Sequence, residues 1–211
     1  MAVPKYHHGD LKNALIQAGI EILSEQGLNA LSLRKVAQRA GVSHSAPYAH
    51  FTDKQALIAA ISTEGYRKLY DCLAIAVEQY RHAPLRQLIE ASWAYVQFAL
   101  REPAHFKITL SGAVEKSQEY PAFVEMTEKA FALVVDLTKA CQQAGILKAG
   151  PPNQMAVSVW STVHGFTSLI LEEQISSSLV DHLTLREMLI FVLNQITIVS
   201  IDPRSYPAAF T

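Results

Sequence analysis

The residues of this chain that are best suited to chemistry lie in one stretch, between Ser32 and Lys54. The stretch reads SLRKVAQRAGVSHSAPYAHFTDK and mixes basic, hydroxyl, imidazole and phenol side chains. Proteins use side chains of these types to contact the phosphates and base edges of nucleic acid. The composition of the stretch therefore predicts contact with a polyanion, provided that its fold presents these groups on one surface.

The same stretch has the pattern of a helix-turn-helix. Ser32 is placed to cap a first helix, and the small Ala37 on that helix allows a second helix to cross it closely. Gly41 suits a turn that needs a positive φ, and Val42 is placed to lock the turn to a core. Ser43 is placed to cap the second helix, which in this motif enters the DNA major groove.

The distribution of charge favours the same end of the chain. Residues 1–60 hold six basic and four acidic residues, a net charge of +2, and include four of the eight histidines. The remaining residues hold 12 basic against 15 acidic residues, which gives −1 for all 211 residues. A mildly basic N-terminal part on an acidic body is typical of a protein that contacts a polyanion at one end.

Apolar residues recur at helical spacing through the whole chain, and signals for strands are scarce. The pattern predicts an all-α fold with an N-terminal three-helix domain, a C-terminal helical bundle and about nine helices in total. The expected helices run from an N-cap at Asp10 to Gly27, from Ser32 to Gly41, from Ser43 to Phe51, from Asp53 onward, after Pro84 to Glu102, after Pro103, from Pro121 to Gly145, over 153–174, and from a cap at Thr184 to Ile201.

Several classes of protein are disfavoured. Two cysteines, Cys72 and Cys141, are too few for a disulfide scaffold or a multi-cysteine metal site. The sequence holds no nucleophile elbow, phosphate loop or dinucleotide fingerprint, so we expect neither an enzyme nor a cofactor. The longest stretch without a charged residue, 149–171, contains prolines and polar residues, and the N-terminus has no apolar segment. We therefore expect a cytoplasmic protein without a membrane span or a metal.

A larger set of residues resembles a known family, the TetR family of transcriptional regulators. The residues that carry the resemblance are Leu33, Val36, Ala37, Ala40, Gly41, Val42, Ser43, Tyr48, His50, Phe51, Lys54 and Leu57. The start of the chain, residues 6–11, and the triplet Ala46-Pro47-Tyr48 look like one branch of that family. That branch carries a C-terminal Trp-x-x-x-His-Gly signature, which this chain has as Trp160, His164 and Gly165.

The resemblance implies a homodimer that binds palindromic double-stranded operator DNA and is released by a small, apolar effector. Residues 1–53 would form the DNA-binding domain with an N-terminal arm, and residues 54–211 the ligand-sensing and dimerisation domain. The implied DNA-binding residues are Ser32, Arg34, Ser43, His44, Ser45, Tyr48, His50 and Lys54. Within this set Tyr48 faces bases and Lys54 a phosphate, whereas Phe51 belongs to the core. Lys5, His7 and His8 would form the arm.

The C-terminal part holds aromatic residues that suit an apolar pocket with a few polar groups. The predicted ligand-binding residues are Trp93, Phe98, Phe106, Phe131, Trp160 and His164, with Tyr95 nearby; ordinary core packing is the alternative for each aromatic residue. His164 is open to three interpretations: a ligand donor, a metal ligand, or a buried, hydrogen-bonded histidine at a dimer interface. The last two helices are apolar nearly all round, which predicts that they pair with a second copy.

A protein of another class remains possible on the sequence alone. A helical small-molecule-binding or interaction protein that has lost DNA binding would fit the modest basic charge and Ala49, which stands where many family members have a bulky or basic residue. Such a protein would show only weak, sequence-independent affinity for DNA at about 0.15 M salt, whereas a specific regulator would reach about 10⁻⁸ M or tighter.

Overall fold

A computed structural model describes residues 11–175 and 183–206 of the chain. Across this part the chain is all-α, which confirms the predicted fold class, and it forms no β-strand beyond an isolated antiparallel bridge between Leu147 and Thr197. Its eight α-helices are α1 (Leu11–Gln26), α2 (Leu33–Arg39), α3 (Lys54–Gln79), α4 (Pro84–Arg101), α5 (Pro103–Leu110), α6 (Pro121–Gln143), α7 (Pro152–Leu171) and α8 (Leu185–Leu193). Within the described ranges, no helix is both long and apolar enough to cross a membrane.

The second helix of the motif is present but short, and the prediction that Ser43 caps it is wrong. The chain forms a short 3₁₀ helix over Ala46–Ala49, and the Ser43 hydroxyl lies 3.1 Å from the hydroxyl of Ser45 rather than on a helix N–H. The cause is Pro47, which has no N–H to donate to the Ser43 carbonyl and so removes an early α-helical hydrogen bond. The backbone closes tighter turns, with the Ala46 N–H donating to the Ser43 carbonyl at 3.0 Å.

The last helix begins as predicted but ends early. The Thr184 side chain and Glu187 form a reciprocal capping box at its start. The helix ends at Leu193 and not near Ile201, because the Asn194 side chain forms hydrogen bonds with the backbone N–H and carbonyl of Ile201. The Asn194 amide oxygen accepts from the Ile201 N–H at 2.7 Å, and its NH₂ group donates to the Ile201 carbonyl at 2.9 Å. An asparagine that bonds nearby backbone competes with helix continuation.

The chain divides into two compact units. The first comprises residues 1–67 and 102–127, and the second comprises 68–101 and 128–211. This division by compactness places α5 and the first part of α3 with the N-terminal helices, because Ile108 of α5 packs in the same apolar cluster as Leu15 and Ile22 of α1. The predicted functional boundary between residues 53 and 54 stays a prediction.

The first unit is held by an apolar core beneath the helix-turn-helix. Leu15, Ile22, Val36, Leu57 and Ile61 are fully buried there, each exposing 1% or less of its surface. They come from α1, α2 and the first part of α3, so burial of their side chains fixes the directions of these elements. Each such side chain stabilises the fold by about 1.5–3 kcal/mol relative to exposure.

The second unit has a separate core and a buried ion pair. Leu88, Ile89, Leu189 and Leu193 of α4 and α8 are fully buried. In the same unit the Arg186 guanidinium, 4% exposed, donates to the Glu90 carboxylate at 2.7 Å and to the Tyr206 carbonyl at 2.9 Å. The ion pair joins α8 to α4, so the two helices are tied by polar as well as apolar contacts.

Candidate nucleic-acid interface

The helix-turn-helix is built by the local features that the sequence predicts. The Ser32 hydroxyl accepts from the Lys35 N–H at 3.2 Å and so caps α2. Ala37 is fully buried, and the Val42 N–H donates to the Ala37 carbonyl at 3.0 Å. Gly41 has φ +69°, a conformation that favours glycine because other residues place a Cβ there at a steric cost.

The side chains expected to contact DNA are accessible. Five of them are exposed, namely Arg34, Ser43, His44, Ser45 and Tyr48, and three are half-buried, namely Ser32, His50 and Lys54. Tyr48 exposes 62% of its surface, whereas Phe51 exposes 2% and belongs to the core as predicted. The two aromatic residues therefore differ in role. Tyr48 projects from the 3₁₀ helix, whereas Phe51, two residues beyond its end, packs beneath the motif.

The cations of this region differ in how far they are already engaged. Arg39 donates to Glu25 at 2.8 Å and to Glu21 at 3.3 Å, and this guanidinium holds the pKa of Glu25 below its usual value. The Lys54 ammonium donates to the Leu28 carbonyl at 3.0 Å, a contact that the sequence did not predict. Arg34 is exposed and has no ionic partner in the described part of the chain, which leaves its guanidinium available to an incoming phosphate or base.

Helix α3 begins at Lys54 directly after the motif. The Asp53 carboxylate accepts from the Ala56 N–H at 2.8 Å and so caps the helix that the sequence predicts from Asp53 onward. The remaining N–H groups of this first turn and the Lys54 ammonium lie at the same helix end, an arrangement that favours a phosphate. Lys5, His7 and His8, the predicted arm, lie outside the described residues.

The predicted ligand-binding residues are distributed over both units. Phe106 belongs to the first unit, where it is 2% exposed, and the other five belong to the second unit. Trp93 lies under the Arg186 guanidinium, whose central carbon is 5.6 Å from the ring centroid. Phe98 is buried at 5% exposure.

Three of the predicted residues do come together, with Tyr95. The ring centroid of Trp160 lies 6.3 Å from that of Phe131 and 6.3 Å from that of His164. The Trp160 N–H donates to the Tyr95 oxygen at 3.3 Å, and the Tyr95 oxygen lies 2.8 Å from Nδ1 of His164. A signature whose Trp and His are four residues apart thus places both on one face of α7.

Hydrogen bonds and burial together define the surroundings of His164. Trp160 can only donate, so the Tyr95 oxygen accepts from it. The direction of the bond between Tyr95 and Nδ1 of His164 depends on the tautomer of His164, and Nε2 lies 3.4 Å from the Ser168 hydroxyl. Burial lowers the pKa of His164, so desolvation favours the neutral imidazole.

The pKa of His164 gives a prediction about pH. Its pKa lies below the ordinary value of 6.5 in the folded chain, so the folded state binds fewer protons than the unfolded state. The stabilisation that follows is present above the ordinary pKa and is lost as the pH falls towards the folded pKa. We expect the wild-type chain to lose more stability than His164→Gln between about pH 7.5 and pH 5.5. Urea unfolding at both pH values measures this; equal losses in the two proteins would contradict it.

Sequence reasoning missed two features that only contacts between helices reveal. Gly65 of α3 faces α5 closely: a Cβ added there would lie 1.9 Å from the Thr109 hydroxyl. Buried His105 lies beside it, with Nε2 donating to the Ile61 carbonyl at 2.9 Å and Nδ1 3.1 Å from the Glu102 carboxylate. A glycine within a long helical pattern was the available signal for the close approach.

Comparison with known protein families matches both ends of the chain. Residues 15–61 match the model of bacterial regulatory proteins of the tetR family, and residues 88–191 match the tetracyclin repressor-like C-terminal domain. An uncharacterized HTH-type transcriptional regulator of Bacillus subtilis (strain 168), YobS, is 26% identical over 165 residues, 78% of this chain and 81% of the relative. The class A tetracycline repressor from transposon 1721 of Escherichia coli is 42% identical over 50 residues, 24% of this chain and 23% of the repressor.

Solved structures extend the likeness to the whole fold. A Rhodococcus sp. RHA1 protein of unknown function has a TM-score of 0.76 and 28% identity, covering 92% of this chain and 96% of its own. A putative tetR family transcription regulator from Shewanella sp. PV-4 has a TM-score of 0.70 and 18% identity, covering 89% of this chain and 98% of its own. The second likeness shows the fold alone.

Proposed function

We propose that this chain, which belongs to the TetR family of DNA-binding transcriptional regulators, is a cytoplasmic, ligand-responsive repressor of a palindromic operator. The observation that carries the proposal is the contrast between Tyr48, 62% exposed, and the buried Phe51 in one helix-turn-helix. Arg34, His44 and Ser45 are exposed on the same motif. These side chains supply base contacts, while Ser32, Ser43, His50, Lys54 and the N-terminal arm supply backbone contacts that set the register.

The Lys54 ammonium, proposed to contact a phosphate, already has one hydrogen bond within the chain. The ammonium has three donors, and the Leu28 carbonyl uses one of them at 3.0 Å. The remaining donors can take a phosphate while the first holds the side chain against the loop before α2. Lys54 then acts as a positioned point charge at the start of α3 rather than as a freely moving cation.

The proposed repressor is a homodimer that pairs through α7 and α8. Exposed apolar side chains on these helices and the turn after α8 support this, because Val157, Trp160, Leu169, Phe191 and Ile198 each expose 37% to 63% of their surface. Gly165 of α7 also has open space around its Cα, with nothing within 4 Å of an added Cβ. A two-fold dimer would place two helix-turn-helix motifs on half-sites about one helical turn apart, or a multiple of that.

The Phe191→Glu variant tests the dimer. A carboxylate at the centre of an apolar interface would be desolvated without a partner, so we expect the dimer dissociation constant to rise at least about tenfold. Sedimentation velocity over a concentration series measures the change. Ile75→Glu, at a position on α3 that is 68% exposed, is the matched control and is expected to leave the dimer intact. Equal dimerisation of Phe191→Glu and the wild type would place the interface elsewhere.

The effector is proposed to bind in the C-terminal part, beside the group formed by Tyr95, Phe131, Trp160 and His164. Their aromatic faces suit a small, apolar molecule, and His164 and Tyr95 offer hydrogen bonds. The Trp160–His164–Gly165 signature supports placement in the branch of the family that carries it. Trp93 and Phe98 of the second unit and Phe106 of the first unit are proposed as packing residues, since Trp93 lies under the Arg186 guanidinium and the other two are at most 5% exposed.

Release of DNA follows from a shift between two states. Helix α3 begins with Lys54 in the first unit and ends in the second, so a ligand that displaces its second part moves the start of the helix. The two motifs of the dimer would then no longer match the half-sites. To release DNA almost fully, the ligand must favour the displaced state by about 5.5 kcal/mol.

Selection of duplexes from a random pool at about 0.15 M salt tests the proposal, using purified protein stripped of small molecules. We expect enrichment of a two-fold symmetric site with a fixed half-site spacing. A folded, dimeric protein that enriches no sequence would contradict the proposal and favour a helical small-molecule-binding protein without specific DNA binding.

A further inference from the structure

An open cleft of about 430 Å³ lies within the first unit, between α1, α3 and the start of α6. Its apolar wall includes Ile16, Phe51, Ala59, Ala60 and Phe123. Tyr66 packs against the Phe123 ring at 5.8 Å between centroids, which holds that side of the wall in place. A cleft of this size suits a small organic molecule. No residue of the proposed sensor group lines it.

The acidic residues of the cleft are already paired. Glu64 accepts from the Arg67 guanidinium at 2.6 Å and 2.8 Å, so both of its oxygens are used. Glu119 lies 3.6 Å from the Lys116 ammonium. A cationic ligand would therefore have to compete with a cation of the chain for either carboxylate.

The polar groups left without a partner are mostly donors. Lys12, Asn13, His50 and Tyr120 line the cleft, and none of their side chains has a hydrogen bond or ion pair with another described residue. Lys12 supplies a full positive charge, and the other three can each donate a hydrogen bond. These groups match an anionic or acceptor-bearing ligand rather than a cationic one.

The charges around the cleft are unevenly placed. Burial, and after it the charges of Asp53, Glu119 and Glu115, raise the pKa of the Tyr120 phenol. These carboxylates repel an anion at Tyr120, whereas Lys12 is the one lysine or arginine among the described lining residues and attracts it. The ligand's orientation follows, with its charged group at Lys12 of α1.

We propose that this cleft binds a small carboxylate with an apolar body. The carboxylate lies at Lys12 and His50, and the apolar body lies against Ile16, Ala60 and Phe123. Because His50 is also a proposed phosphate contact, the bound carboxylate competes with the DNA backbone for it. The cleft is thus a second effector site, placed in the DNA-binding unit itself. Binding of the carboxylate does not depend on operator recognition.

The binding test compares three probes of equal shape and different charge. The probes are 4-(trifluoromethyl)benzoate, the corresponding benzyl alcohol and the corresponding benzylamine, each titrated into the full-length chain without DNA and followed by fluorine NMR. We expect the benzoate to bind about tenfold more tightly than the alcohol and the amine most weakly. An amine that binds as tightly as the benzoate, or no binding of any probe, would overturn the proposal.

Two matched pairs of variants locate the probe. Ala122 and Ala132 are both exposed on α6, but only Ala122 lines the cleft, so Ala122→Trp is expected to abolish benzoate binding and Ala132→Trp to preserve it. Lys12→Gln is expected to reduce benzoate affinity to that of the alcohol, and Lys148→Gln to leave it unchanged. Equal binding by both tryptophan variants would overturn the location.

Competition with DNA is measured separately, on a random duplex. Saturating benzoate is expected to weaken duplex binding by wild type several-fold and to leave the Ala122→Trp variant unaffected. Unchanged duplex binding by the wild type would overturn the competition at His50. If no variant binds any duplex, the probe titration still decides whether the cleft binds a carboxylate, so failure of the regulator proposal is distinguishable from failure of this one.

Discussion

The Gly65→Ala variant is expected to lose about 3 kcal/mol of unfolding free energy, at the upper end of the usual cost of overpacking. The added Cβ would lie 1.9 Å from the Thr109 hydroxyl and 3.0 Å from the His105 ring. Neither neighbour can move cheaply, because Thr109 is 3% and His105 1% exposed. Since His105 is also hydrogen-bonded to the Ile61 carbonyl at 2.9 Å, α5 must shift away from α3 as a whole.

Urea unfolding followed by circular dichroism, at one fixed protein concentration, measures the loss. The matched control is Thr109→Ala, which removes the hydroxyl that the new Cβ would meet. That hydroxyl is buried without a hydrogen-bond partner among the described residues, so the single change costs little beyond a methyl group, about 1 kcal/mol. The double variant is expected to be more stable than Gly65→Ala alone. Strictly additive losses in the double variant would show that the two residues do not meet.

The Tyr48→Ala variant is expected to weaken specific operator binding by about 2 kcal/mol, roughly thirtyfold, and to leave stability within about 0.5 kcal/mol of the wild type. Stability is preserved because Tyr48 exposes 62% of its surface and packs little. Affinity falls because an exposed ring and phenol at the end of the 3₁₀ helix are placed to contact base edges or nearby sugar. Fluorescence anisotropy at about 0.15 M salt measures the specific affinity on the selected duplex and the non-specific affinity on a scrambled duplex.

Two variants distinguish the loss of a base contact at Tyr48 from a loss of stability and from the loss of a phosphate contact. Phe51→Ala, three residues along, is expected to lose about 3–5 kcal/mol of stability, since it empties a site that is 2% exposed. Lys54→Gln is expected to weaken binding to both duplexes alike and to reduce the salt slope by about one unit, as loss of a phosphate contact does. If Tyr48→Ala weakened both duplexes equally, Tyr48 would be a backbone contact and not a base contact.

Local chemistry made much of the motif predictable. The cap at Ser32, the positive φ at Gly41 and the lock at Val42 each depend on a few adjacent residues, and the structure confirms the first two directly through a 3.2 Å hydrogen bond and φ +69°. Ser43 does not cap a helix for an equally local reason, the missing N–H of Pro47.

Packing across helices was less predictable. Of the residues predicted to line one pocket, Phe131, Trp160 and His164 lie together, whereas Trp93 packs against the Arg186 guanidinium at 5.6 Å. Periodicity tells which face of a helix is apolar, and it does not tell which helix that face meets. Trp160 and His164 are four residues apart, so a single helix turn fixes their spacing and the sequence alone places them together.

By itself the sequence determined the all-α fold and the helix-turn-helix from Ser32 onward, which follow from helical periodicity, capping and turn preferences that act over a few residues. The resemblance to the TetR family added the separation of Phe51 from Tyr48. The tertiary structure decided the rest: the contact of Gly65 with Thr109, the chain of hydrogen bonds from Trp160 through Tyr95 to His164, and the carboxylate cleft beside Lys12. Each of these joins residues that are far apart in the chain, and their contact depends on how the whole apolar surface is buried rather than on any local preference.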